Sequence, residues 1–157
     1  MQRGGGVTGI LVGGLAAGVL DIVYAFVLGA RRGASPLRVL QSVASGLLGA
    51  EAFEGGVPAG VLGLACHFVI AFGAAAVYYL AARRLALLRE RPLFAGAAFG
   101  VLVYLFMNFI VIPLSAAPFK LSYPPRVLLQ GFVSHALLVG IPIALAIRRY
   151  SFRGAQA

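Results

Sequence analysis

The chain has 157 residues, 61% hydrophobic and 11% charged, with 13 Lys or Arg against four Asp or Glu. A water-soluble domain carries about a quarter charged residues, so this composition excludes a soluble fold. The net charge of +9 does not indicate nucleic acid, because the basic residues form short clusters at the ends of apolar stretches. There they orient a membrane protein and meet anionic headgroups.

Apolar stretches at residues 7–30, 57–82, 92–114 and 127–147 each reach the ~20 residues that cross a ~30 Å hydrocarbon core. The expected fold is all-α: one integral membrane domain over residues 1–157, a polytopic bundle of four spanning helices plus one amphipathic helix. The first stretch is longer than the ~7–15 residue core of a signal peptide and lacks a small-x-small cleavage site before Arg31, so an uncleaved span is expected. It carries Gly9 and Gly13, then Gly14 and Gly18, two small-xxx-small pairs that let helix backbones approach closely. Gly96 and Gly100 repeat the pattern in the third span.

Residues 36–53 form the least obvious element. Ser35-Pro36 is a helix start. Leu37, Leu40, Ala44, Leu47 and Leu48 recur at helical spacing, with Arg38, Gln41, Ser42 and Ser45 opposite, and Gly55, Gly56 and Pro58 end the run. Such a helix is expected to be interfacial or re-entrant. Charge argues differently. With four spans, Arg3, Arg83, Arg84, Arg89, Arg91, Arg148, Arg149 and Arg153 face one side, and Arg31, Arg32, Arg38, Lys120 and Arg126 the other. That split is eight to five, with both termini cytoplasmic; a fifth crossing over 37–53 makes it ten to three. A weak repeat bears on the same point: Gly14–Leu20 resembles Gly96–Leu102, and Pro36–Gln41 resembles Pro125–Gln130. Five crossings would make those repeats inverted, as in many transporters. Four spans remain the expectation.

Arg83–Arg91 reads as a basic hairpin loop, and Ser115–Arg126, with Pro118, Pro124 and Pro125, as a stiff extended connection following Pro113. Pro142 should kink the last span. Tyr78 and Tyr79 lie near Arg83 and read as interfacial anchors.

Ionisable groups inside a span cost ~2.5–3.5 kcal/mol each on insertion scales, so each needs a reason. Asp21, His67 and His135, with the amide of Asn108, are the intramembrane polar candidates. Asp21 is ten residues from Arg31, His67 nine from Pro58, Asn108 seven from Ser115 and His135 nine from Arg126. At ~1.5 Å per residue, all four sit roughly 10–15 Å below one surface, each on a different span. A fifth crossing would move Asp21 to the opposite half. Tyr24, at i+3 from Asp21, is placed to donate its hydroxyl to the carboxylate. His67 with Cys66 is not a metal pair, nor Ser134 with His135 a catalytic dyad, because adjacent residues point to different sides of a helix. Glu51 and Glu54 are expected to be solvated.

The runs Leu40-Gln41-Ser42-Val43-Ala44-Ser45-Gly46-Leu47-Leu48-Gly49, His67-Phe68-Val69-Ile70-Ala71, and Met107-Asn108-Phe109 through Pro113-Leu114-Ser115 resemble those of small uncharacterised bacterial inner-membrane proteins. That resemblance implies a multi-pass protein of a bacterial inner membrane, and carries no activity, cofactor or site residue with it. The expected role is structural or accessory, with the polar groups fixing helix packing and the partners being lipids, a second copy or a membrane protein. The alternative is transport of protons, small ions or a small solute through the Asp21, His67, Asn108 and His135 layer. No cofactor is expected, with haem or a metal held by His67 and His135 as the lesser option. Neither a catalytic residue nor an enzyme activity is expected.

Overall fold

The computed structural model describes residues 3–119 and 124–152; Lys120 and Arg153, used in the charge count, lie outside them. All regular structure among the described residues is helical. Helix α1 covers Arg3–Ala30. Helix α2 covers Pro36–Leu48 and runs into a tight 3₁₀ turn at Gly49–Phe53. Helix α3 covers Gly56–Arg84, and α4 is one short turn at Leu87–Glu90. Helices α5 (Pro92–Leu114) and α6 (Pro125–Ser151) complete the chain. Four of these, α1, α3, α5 and α6, are long and apolar enough to cross a membrane. The architecture is the four-span bundle with one additional amphipathic helix.

Both ends of α2 meet the same face of the bundle, which is why it does not cross. The Val39 side chain sits against Gly29 at the end of α1, and Leu37 and Leu40 sit against Gly60 and Gly63 early in α3. The Ala116 N–H, just past α5, donates to the Gly46 carbonyl at 3.0 Å. The start of α2 is fixed by Ser35, whose hydroxyl accepts from the Arg38 N–H at 3.2 Å with Pro36 in the first turn. Its end is fixed by Gly49, held at φ +63°, a conformation open chiefly to glycine.

Helix α2 buries residues of both its sides: Ala44 of the apolar set is buried with Gln41 and Ser45, and Arg38 of the polar set is exposed. Leu47 is 66% exposed. In a lipid environment the polar atoms must be satisfied internally. Gln41 Nε2 donates to the Gly56 carbonyl at 3.1 Å, and Ser45 Oγ to the Ser42 carbonyl at 2.7 Å. Arg38 lies 3.9 Å over the Phe53 ring and donates to its carbonyl, clamping the turn that leads into α3.

Glycines set the spacing of the spans. Gly9 and Gly13 of α1 abut Ile147, Ile143 and Ala146 of α6, whereas Gly14 and Gly18 abut Phe72 and Phe68 of α3. On the far side Gly96 and Gly100 of α5 meet the α6 backbone at Gly140–Ile141 and His135–Ala136. These contacts lie within one chain. The Ser151 hydroxyl donates to the Gly5 carbonyl at 3.0 Å, so α1 begins beside the end of α6 on the same face.

The dry core fills the half of the bundle near that face. It consists of Ala17, Ala75, Tyr78, Ala82, Val139, Ile143, Ala144 and Ile147. Tyr78, expected at the interface, is instead wholly buried. Its ring meets Phe99 edge-on at 5.1 Å and its hydroxyl donates to the Leu88 carbonyl at 2.9 Å, pinning the α3–α5 hairpin. Burying a tyrosine is tolerable once its O–H has a partner.

Two widened, π-helical turns interrupt the spans, at Met107–Val111 in α5 and Ala136–Gly140 in α6. Each lies just ahead of a proline, Pro113 and Pro142. A proline ring collides with the carbonyl four residues earlier, and a wider turn relieves that collision. The close glycine contacts yield a test. Gly100→Ala places a methyl 2.6 Å from the His135 carbonyl carbon and 2.8 Å from Ala136 Cα, whereas Gly73 has nothing within 4 Å. Gly100→Ala is expected to lower the melting temperature of the purified protein by several degrees, and Gly73→Ala to leave it unchanged or raise it slightly.

Candidate functional site

The two glycine faces of α1 determine where Asp21 points. At about 100° per residue, Asp21 projects about 80° from Gly13 in one direction and about 60° from Gly18 in the other. Since Gly13 faces α6 and Gly18 faces α3, the carboxylate is directed between those helices. His67 comes towards it from α3 and His135 from α6. The three side chains line one central cavity of about 220 Å³, walled otherwise by apolar groups and roofed by Val43 of α2.

His67 has a defined role in the packing. Its Nε2 lies 2.9 Å from the Gly18 carbonyl. A carbonyl only accepts, so Nε2 carries the proton in this bond. The bond ties α3 to α1 at the point where Gly18 brings them closest.

His135 stacks edge-on against the Tyr104 ring at 5.0 Å and directly precedes the widened turn of α6. The neighbouring Ser134 hydroxyl donates to the Gly131 carbonyl at 3.1 Å and is 3.4 Å from His135 Nδ1. That is the geometry of local backbone bonding in a helix, not of an activated nucleophile.

A second cleft of about 240 Å³ runs between α1 and α6. It starts at Arg32 and Val127, passes Leu28, Tyr24 and Gln130, and ends on Asp21 and His135. Among the described residues, those two alone line both this cleft and the central cavity. Asp21 makes no hydrogen bond or ion pair with another described residue.

Sequence expectations and geometry differ at three places. Asn108 shares the depth of the others but lines neither cavity; its Nδ2 donates to the Tyr104 carbonyl of its own helix at 2.9 Å. It falls within a widened turn, whose extra residue per turn shifts the side-chain register, and Met107 takes the place on the cavity wall. Tyr24 does not serve Asp21. Its hydroxyl accepts from Gln130 Nε2 at 2.7 Å, a bond from α6 to α1. Gln130 was missed as a site residue because it lies near the start of its apolar stretch; an amide inside a span was the available signal.

No group of three or more His, Cys, Asp or Glu side chains is close enough to hold a metal ion among the described residues. The central cavity, about 220 Å³, lies below the ~300–1,000 Å³ of sites for drug-sized ligands. Comparison with protein-family models, curated proteins and solved structures finds no match to this chain.

The interhelical bonds and the carboxylate should behave differently on substitution. In a double-mutant cycle, Tyr24→Phe and Gln130→Leu should couple by about 0.6 kcal/mol, and at most ~1.7, the range for hydrogen bonds between membrane helices. Asp21→Asn should leave unfolding stability unchanged or higher, since it removes a charge without breaking a bond. Unfolding in mixed detergent micelles measures both.

Proposed function

We propose that this protein handles protons inside the membrane, with Asp21 and His135 together taking up and releasing a proton reached from the face that carries α2. The supporting observation is that these two residues, from different helices, join the surface-connected cleft to the central cavity. Imidazole is the side chain that titrates nearest neutral pH, and here it lines the same two spaces as a carboxyl group from a neighbouring helix. The titratable or charged groups lining the two spaces are Asp21 and Tyr24 from α1, Arg32 from the turn after it, His67 from α3, Tyr104 from α5 and His135 from α6; α2 supplies only Val43. His67, which lines the central cavity with them, is the next proton-carrying group. Beyond it lies the apolar core of Tyr78, Ile143 and Ile147, so passage to the other side needs a movement of the spans. The widened turns of α5 and α6 are the places where the helical bonding is already loosened.

In this reading the protein resides in a bacterial inner membrane. The positive-inside rule puts the Arg83–Arg91 and Arg148–Arg149 face, with both termini, in the cytoplasm. The α2 face is then external. The second reading is an accessory protein whose polar groups only fix packing. It is favoured by the His67–Gly18 and Gln130–Tyr24 bonds, and it leaves Asp21 without a task.

Proteoliposomes with an internal pH dye and an imposed membrane potential separate the two. The proton reading expects acidification that falls by a factor on the order of 10² in Asp21→Asn and in His135→Gln, with Asn108→Ala close to wild type. Equal signals from wild type, both variants and empty liposomes would support the accessory reading instead.

A further inference from the structure

The α1–α6 cleft has a chemical character of its own. Its wall alternates apolar groups with Tyr24, Gln130 and Ser134, so it offers hydrogen-bonding atoms along its length. Tyr24 and Gln130 bond each other and Ser134 bonds its own helix; the groups that call for water are the Arg32 guanidinium at the mouth and the Asp21 carboxyl at the inner end, which acyl chains do not solvate. At its mouth stands Arg32, in the turn that follows α1 and 11 residues after Asp21 in the chain. Arg31 and Arg126 are exposed and do not line the cleft. Of the acidic side chains, Asp21 alone lines the cleft, at its inner end; Glu51 and Glu54 belong to the turn between α2 and α3.

We infer that this cleft is a water-filled vestibule that admits small anions and neutral protic solutes from the α2 face and turns away cations, with Arg32 as the selecting charge. The argument is electrostatic. A cleft with low-dielectric walls focuses the field of a charge at its mouth, and such focusing changes arrival rates by about 10–10³-fold. A metal cation or an ammonium meets that barrier before it reaches Asp21. A small weak acid meets attraction at Arg32 and a proton at Asp21 and His135. The inference names the solute class for the site proposed above, and rests on that proposal only for what happens at the inner end.

Cysteine labelling tests it without any proton movement. In a Cys66→Ala background, single cysteines at Ala25, Leu28 and Val27 are reacted with membrane-impermeant thiosulfonates of either charge. Rates are normalised to a free thiol in solution. Ala25 and Leu28 belong to the vestibule, whereas Val27 is on the lipid face and 49% exposed. Ala25→Cys and Leu28→Cys are expected to react from the α2 face, the anionic reagent faster by about tenfold, and Val27→Cys to stay unlabelled. Adding Arg32→Gln should remove that preference without slowing the cationic reagent. Unreactive cysteines at Ala25 and Leu28, in protein that elutes and melts like the parent, overturn the inference. So does a charge preference that survives Arg32→Gln. Labelling as expected with no proton flux defeats the proton reading alone, and flux with an unreactive cleft defeats the vestibule alone.

Discussion

In a bilayer, helices gain nothing by hiding apolar surface from one another, so close packing has to come from shape. Here the shape is supplied by α1. Its two glycine pairs are offset by five residues, so one pair faces α6 and the other faces α3. Everything at the site follows from that offset. It fixes the angle between the neighbouring helices, and it leaves Asp21 in the wedge between them, where His67 and His135 arrive. The His67 bond to the Gly18 carbonyl forms only because a glycine lets the α3 backbone come within reach.

The bundle divides along its length into two kinds of interior. Near the termini it is dry and closely packed around Tyr78, Ile143 and Ile147. Near α2 it is open, with two cavities that share Asp21 and His135. Proline is part of the reason. Pro113 and Pro142 widen the preceding turns of α5 and α6, and a widened turn packs less regularly against its neighbours. Helix α2 closes this end, presenting Gln41 and Ser45 inward and Leu47 outward.

Much of this was legible in the sequence. Run length and hydropathy place the four spans, and counting from their ends puts Asp21, His67 and His135 at a common depth. The glycine pairs specify which faces of α1 are crowded, and their angular offset points Asp21 inward. Other features were hidden for physical reasons. Counting residues assumes a regular helix, so the widened turn at Met107–Val111 defeats it and Asn108 turns to its own helix. Which residues α2 buries depends on where it packs, which amphipathic spacing alone does not say. Tyr78 and Tyr24 each answer to a partner distant in sequence, Leu88 and Gln130, and single-helix spacing cannot name such partners. The charge tally favoured a fifth crossing because it weighs the number of basic residues on each side and not where the chain packs, and α2 is held at both ends against one face of the bundle.

The central claim is that Asp21 and His135 form one protonating unit. Asp21 is the only aspartate in the chain, so aspartate labelled with ¹³C at its side-chain carboxyl reports on it alone. The decisive measurement is an infrared pH titration of that carboxyl in membranes, on wild type and on His135→Gln. The account predicts a labelled carboxyl whose titration curve changes in shape and position when His135 is removed. Superimposable curves with and without His135 would contradict it.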